Sequence, residues 1–108
     1  MAGVKSVDHS KIMTASEVAK HLLNNCKTLA LYESFMFGSS LLGIGCDCDI
    51  LIIGPSGDAL NKLKGEMKYA GAELPLDILY MLPIEAEETQ FVKKQKCVSL
   101  ALLASQGR

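Results

Sequence analysis

The sequence predicts an α/β (α+β) domain in which helices pack on a small mixed β-sheet. Three observations carry that expectation. Residues 14–26 and 56–71 repeat apolar side chains at the period of an amphipathic helix. Residues 28–37, 47–53 and 76–82 are short apolar runs of strand length, each stopped by Gly or Pro. The run 47–53, the helix after it and the run 76–82 form a strand–helix–strand unit, and such a connection joins parallel strands through a right-handed crossover.

The first helix starts at a capping box. In Thr14-Ala15-Ser16-Glu17 the Thr14 hydroxyl is placed to accept from the Glu17 amide while the Glu17 carboxylate reaches back to the Thr14 amide. Ala15, Val18, Ala19, Leu22, Leu23 and Cys26 then fall on one stripe, and Asn24 and Asn25 mark the end. Residues 28–37 read as the first strand, rich in apolar and aromatic side chains and stopped at Gly38-Ser39-Ser40. The second strand opens at Cys46 or Asp47 and runs to Ile53, before Gly54-Pro55. Ser56 offers an N-cap for a helix on which Leu60, Leu63, Met67 and Ala70 recur at helical spacing, ending near Gly71. Residues 76–82 form a third strand with Asp77 as its one charge, stopped by Pro83. Glu85, Glu87 and Glu88 followed by Lys93, Lys94 and Lys96 match the dipole of a further helix. Residues 97–104 suit either a strand or a helical continuation.

Size and charge narrow the functional classes. With 108 residues the chain has room for one core, so we expect an N-terminal tail over 1–13 and a single domain over 14–108. The net charge of −1, with lysines and acids interspersed, argues against non-specific attachment to nucleic acid or to an anionic membrane. Any nucleotide contact must therefore come from a local site. No apolar run approaches the roughly 20 residues that span a bilayer. Cys26, Cys46, Cys48 and Cys97 lack the spacing of a disulfide scaffold and the polar start MAGVKSVDHSK is no secretory signal, so a cytoplasmic location is expected.

Chemistry concentrates in FGSSLLGIGCDCDILII, residues 37–53. Asp47 and Asp49 are one residue apart on a strand, so both side chains share a face with Leu51 and Ile53, while Cys48, Ile50 and Ile52 take the other. If the first strand runs antiparallel to the second, its end at Gly38 and Ser39 arrives at the same sheet edge, and the crossover brings Asp77 there too. Three carboxylates gathered in one place repel unless a cation compensates, and hard oxygen ligands suit Mg²⁺ or Mn²⁺. The Gly-Ser turn, with exposed amides and a hydroxyl, complements this by offering a phosphate seat beside the metal.

Competing readings of the same residues are weaker. Gly38 and Gly43 have P-loop spacing, but Ile44-Gly45 stand where Lys-Ser/Thr is required. Cys46-x-Cys48 has no second Cys or Cys/His pair near it in sequence, so small buried hydrophobes are expected rather than zinc or redox chemistry. Lys93, Lys94 and Lys96 read as a solvated helix end in preference to a triphosphate clamp. Neither His9 nor His21 has a partner that suggests acid–base work.

Gly38-Ser39, then Asp47-Cys48-Asp49-Ile50, then Asp77 in an apolar strand resembles the signature of the DNA polymerase beta-like nucleotidyltransferase superfamily. The small size, the single preceding helix and the third carboxylate on the next strand are most similar to its minimal nucleotidyltransferase branch. The resemblance covers roughly residues 14–95 and implies the nucleotidyltransferase fold. It implies that Asp47 and Asp49 bind metal, that Asp77 completes the set and positions or activates the acceptor hydroxyl, and that Gly38, Ser39 and neighbouring Ser40 hold nucleotide phosphates. The activity so implied is Mg²⁺- or Mn²⁺-dependent transfer of a nucleoside monophosphate from a nucleoside triphosphate, ATP by preference, to a hydroxyl. The implied partner is a HEPN-like toxin, with a homo-oligomer as the other means of supplying what so short a chain lacks. Many small members carry Arg where Ser40 stands and Ser where Cys46 stands, and most have a longer connection than residues 40–46. Those departures sustain a second expectation, a catalytically inactive binding module on the same fold.

Overall fold

The computed structural model describes residues 14–38, 41, 48–72 and 74–106. Helix α1, Ala15–Asn25, begins at the capping box: Thr14 Oγ1 accepts from the Glu17 amide at 3.1 Å and Glu17 Oε1 accepts from the Thr14 amide at 2.8 Å. Strands β1, Glu33–Phe37, and β2, Cys48–Ile53, are followed by helix α2, Gly57–Ala70, and strand β3, Leu76–Met81. Two short helices come next, α3 at Pro83–Thr89 and α4 at Phe91–Lys94, then strand β4, Val98–Ser99, and helix α5, Leu100–Gln106.

The result is a mixed α+β architecture with a four-stranded sheet in the order β3-β2-β1-β4. β2 pairs antiparallel with β1 and parallel with β3, as the strand–helix–strand spacing requires, and β4 pairs antiparallel with β1. One sheet face carries Met36, Ile50 and Ile52, and these join Val18, Ala19 and Leu22 of α1, Leu63 and Met67 of α2, and Leu100 and Leu103 of α5 in one core. Leu51 points to the opposite face and is also fully buried, so β2 is an interior strand on both sides. On that second face the Phe91 ring of α4 meets Phe37 edge-on at 5.2 Å between centroids.

Two elements differ from the sequence expectation. Residues 28–37 do not form one strand, because Lys27–Leu31 coil into a 3-10 turn. β2 supplies partners for β1 only as far as Ile53, which faces Glu33, and Gly54 then turns the chain away with φ of +71°. Residues before Glu33 have no ladder to join; instead Thr28 Oγ1 donates to Glu66 of α2 at 2.8 Å, holding the segment against that helix. The helix expected over the Glu and Lys cluster is broken at Gln90, which takes the left-handed conformation (φ 54°, ψ 35°) and separates α3 from α4. The ambiguous segment 97–104 is strand first and helix afterwards: Val98 and Ser99 pair with Met36 and Phe35, and α5 then lays Leu100 and Leu103 into the core.

Among the described residues, no helix is long and apolar enough to cross a membrane. Leu22 has no exposed surface, so Leu22→Ala is expected to lower stability by about 2–5 kcal/mol through lost burial and the cavity left behind. Thr14→Ala removes only a cap and should cost about 1 kcal/mol. Urea unfolding followed by circular dichroism measures both, and equal losses would contradict this division between core and cap.

Candidate functional site

Register decides which polar groups meet at the sheet end. Asp49 is the Cα partner of Phe37 on β1 and of Asp77 on β3, so Phe37, Asp49 and Asp77 form one row across three strands. Residues directly paired in a ladder project to the same face, and neighbouring strands lie about 4.8 Å apart. The two carboxylates therefore stand side by side, Asp77 exposed and Asp49 half-buried. Among the described residues, no group of three or more His, Cys, Asp or Glu side chains is gathered closely enough to hold a metal ion. The third predicted carboxylate, Asp47, lies outside the described residues, as do Ser39, Ser40 and Cys46.

Gly38 closes the row where β1 ends. Its φ of +76° is in the left-handed region that glycine tolerates without strain. A Cβ at this position would lie 2.6 Å from Asp49 Oδ2, closer than any side chain is allowed. Gly38 is thus required twice, once by the turn and once by the carboxylate passing over it.

Two carboxylates of this kind fit Mg²⁺ or Mn²⁺. These ions are commonly bound through one or two carboxylates, with waters and substrate phosphates completing the shell. Neutral or soft ligands are absent from the row itself, and the exposure of Asp77 leaves room for water. Phe91, for which the sequence offered no role, flanks the row through its contact with Phe37. Nothing local marks that contact, because it joins α4 to the end of β1. Lys93 and Lys94 lie on α4 with exposed side chains, as a solvated helix end should.

Several polar groups on the helix side of the sheet hold helices together. A cleft of about 700 Å³ lies between the end of α1, the 3-10 turn and α2, on the helix side of the sheet and away from the carboxylate row. Its Glu66 accepts from Thr28 Oγ1 at 2.8 Å and from Cys26 Sγ at 3.4 Å. The Thr28 hydroxyl, before any other influence, holds the Glu66 carboxyl below its ordinary range, with the Cys26 thiol and Lys62 adding to it against the opposing effect of desolvation. Burial pushes the Cys26 and Cys97 thiols up, away from the thiolate form. His21 Nε2 lies 2.9 Å from the Ala70 carbonyl. A carbonyl only accepts, so Nε2 carries the proton and His21 ties α1 to the end of α2. Set against models of known protein families, against curated proteins and against solved structures, the chain matches none.

Gly38→Ala is expected to cost at least about 1–2 kcal/mol from the left-handed backbone alone, and to displace the Asp49 carboxylate. Gly65→Ala provides the contrast: it sits inside α2 with nothing within 4 Å of its Cβ position, and should gain about 1 kcal/mol. Thermal unfolding of the two variants checks the opposite signs. A third expectation concerns pH. The Glu66 carboxyl is depressed on folding, so its contribution is present above the ordinary carboxylate value of about 4.3 and is lost as pH falls through the folded value. Thr28→Val should move the Glu66 titration, followed by NMR, up toward the ordinary value. The stability gap between this variant and the parent should shrink as the solution is acidified.

Proposed function

We propose that this chain is a metal-dependent nucleotidyltransferase of the minimal, DNA polymerase beta-like kind. It would transfer a nucleoside monophosphate from a nucleoside triphosphate, most naturally ATP, to a hydroxyl of a partner protein or other acceptor. The observation that carries the reading is the in-register pairing of Asp49 with Asp77 at the sheet end where β1 turns at Gly38. The Asp-x-Asp motif and the later strand aspartate belong to different parts of the sequence, and this fold makes two of their carboxylates neighbours.

The roles follow from chemistry. Asp47, Asp49 and Asp77 would hold Mg²⁺ or Mn²⁺, which supplies charge neutralisation to the triphosphate when bound. Gly38, Ser39 and Ser40 would seat phosphate oxygens through amides and hydroxyls. Asp77, the more exposed carboxylate, would orient the acceptor hydroxyl and take its proton as that oxygen bonds to the α-phosphorus. The bond from the α-phosphorus to the bridging oxygen breaks in the same displacement, and pyrophosphate leaves. Neutralisation of a HEPN-type toxin by modification of a hydroxyl on it is one setting that suits so small an enzyme.

One sequence feature favours a second reading. Ser40 stands where many small members of the resembling family place an arginine, and loss of that cation weakens the hold on phosphate. An inactive binding module, acting as an antitoxin or regulatory subunit, would keep the pocket without turnover.

Labelled ATP and the other nucleoside triphosphates, offered with Mg²⁺ or Mn²⁺ to the protein and to whatever chain co-purifies with it, test the proposal. Label transfer is expected, and Asp77→Asn should slow it by about 10²–10⁴-fold. Undiminished transfer by the double variant Asp49→Asn with Asp77→Asn would sink the catalytic assignment. Tight nucleotide binding with no transfer to any acceptor would establish the module instead.

A further inference from the structure

The two edges of the sheet are unlike. β4 is only two residues long, whereas β3 is a six-residue edge strand, and an exposed edge of that length is a template for another strand. Which of its backbone groups face outward follows from the ladder with β2. The Cys48 amide donates to the Pro75 carbonyl at 2.8 Å and the Gly54 amide to the Met81 carbonyl at 2.7 Å, so odd-numbered residues of this strand turn their peptide groups toward β2. Parallel pairing alternates, so Leu76, Ile78 and Tyr80 turn theirs to the open edge.

Both ends of that edge are closed internally. The Leu76 amide donates to the Leu74 carbonyl at 2.9 Å, and the Leu82 amide just beyond the strand donates to Glu85 Oε1 at 2.8 Å. The open donors are then the amides of Ile78 and Tyr80, for which the described residues provide no partner. On the face away from the core, Leu79 is 39% exposed between them, with Leu82 and Ile84 also exposed nearby.

We infer that β3 is the interface of a two-fold homodimer, pairing antiparallel with β3 of a second copy about a dyad at Leu79. This rests on the open edge and is independent of the proposed chemistry. In that register Ile78 faces Tyr80 of the partner copy and Tyr80 faces its Ile78, so both open donors of each chain find open carbonyls. Centring the pairing on Ile78 instead would set Tyr80 against Leu76, whose amide is already engaged, and would leave the Tyr80 carbonyl without its donor. Charge agrees with the same choice. Asp77, the one charged residue of the strand, faces Met81 of the other copy, whereas a dyad at Asp77 would oppose like charges. Leu79 meets its own counterpart at a non-hydrogen-bonded position, where side chains approach most closely. A two-fold contact is closed, so pairing removes the edge without propagating into a fibre.

Sedimentation equilibrium of the full chain should give twice the 11.6 kDa chain mass. Leu79→Lys and Leu79→Glu, each placing like charges across the dyad on a partly exposed position, should each shift to the monomer mass, and their equimolar mixture should recover the dimer. Amide hydrogen exchange gives a readout that needs no substitution. Ile78 and Tyr80 should be protected in the dimer and lose protection on dilution, while the Leu82 amide, bonded within its own copy, should not change. A monomeric parent chain, a dimer indifferent to both substitutions, or fast exchange at Ile78 and Tyr80 within the dimer would overturn the inference. Occupation of the edge by a chain of another kind, with the parent monomeric by itself, would overturn it too.

Discussion

Everything in this fold hangs on β2 being hydrogen-bonded along both sides. Its even-numbered residues turn their peptide groups toward β3 and its odd-numbered ones toward β1, so a single six-residue strand sets the register of both neighbours. Its side chains are equally committed. Ile50 and Ile52 enter the helix-covered core, and Leu51 is buried on the other face, each contributing about 1.5–3 kcal/mol by leaving water. Sliding β2 by one residue would exchange the faces of all of them. Asp49 takes its place in the row from this apolar register.

That explains how two carboxylates come to stand together. Like charges about 4 Å apart repel by about 1 kcal/mol in bulk water and by about 4 kcal/mol near a protein surface. Either figure is below what the three buried residues of β2 contribute together. The row also lies at the sheet end, where Gly38 turns the chain aside without a side chain to block Asp49. The proposed chemistry would place a cation at this pair of acids.

On the helix side, titratable groups have a different task. Glu66, Thr28 and Cys26 join the 3-10 turn to α2, and His21 joins α1 to the end of α2. These groups are satisfied by one another or by backbone, which is what partly buried polar side chains require. The cleft between these helices is lined in part by Thr28 and Glu66 of this network. Lys64 adds a further tie, with its ammonium 5.3 Å from the centre of the Tyr80 ring, binding α2 to the edge strand.

Sequence alone determined what depends on neighbours a few residues apart. The capping box at Thr14 and Glu17 closes within one turn, and the period-two pattern of residues 48–53 assigns Asp49 and Cys48 to opposite faces. Both are readable because local geometry fixes them. The parallel relation of β2 and β3 was also legible, since a helix between two strands leaves little topological choice. Tertiary structure decided the rest: that Asp49 pairs with Asp77 in particular, that residues 27–31 coil because β2 stops at Ile53, that Gln90 breaks the acidic and basic helix in two, and that β3 lies at an edge of the sheet. Each of these is a relation between segments distant in the chain. It is set by how far a partner strand extends and by where a helix packs, and neither composition nor periodicity within one segment encodes it.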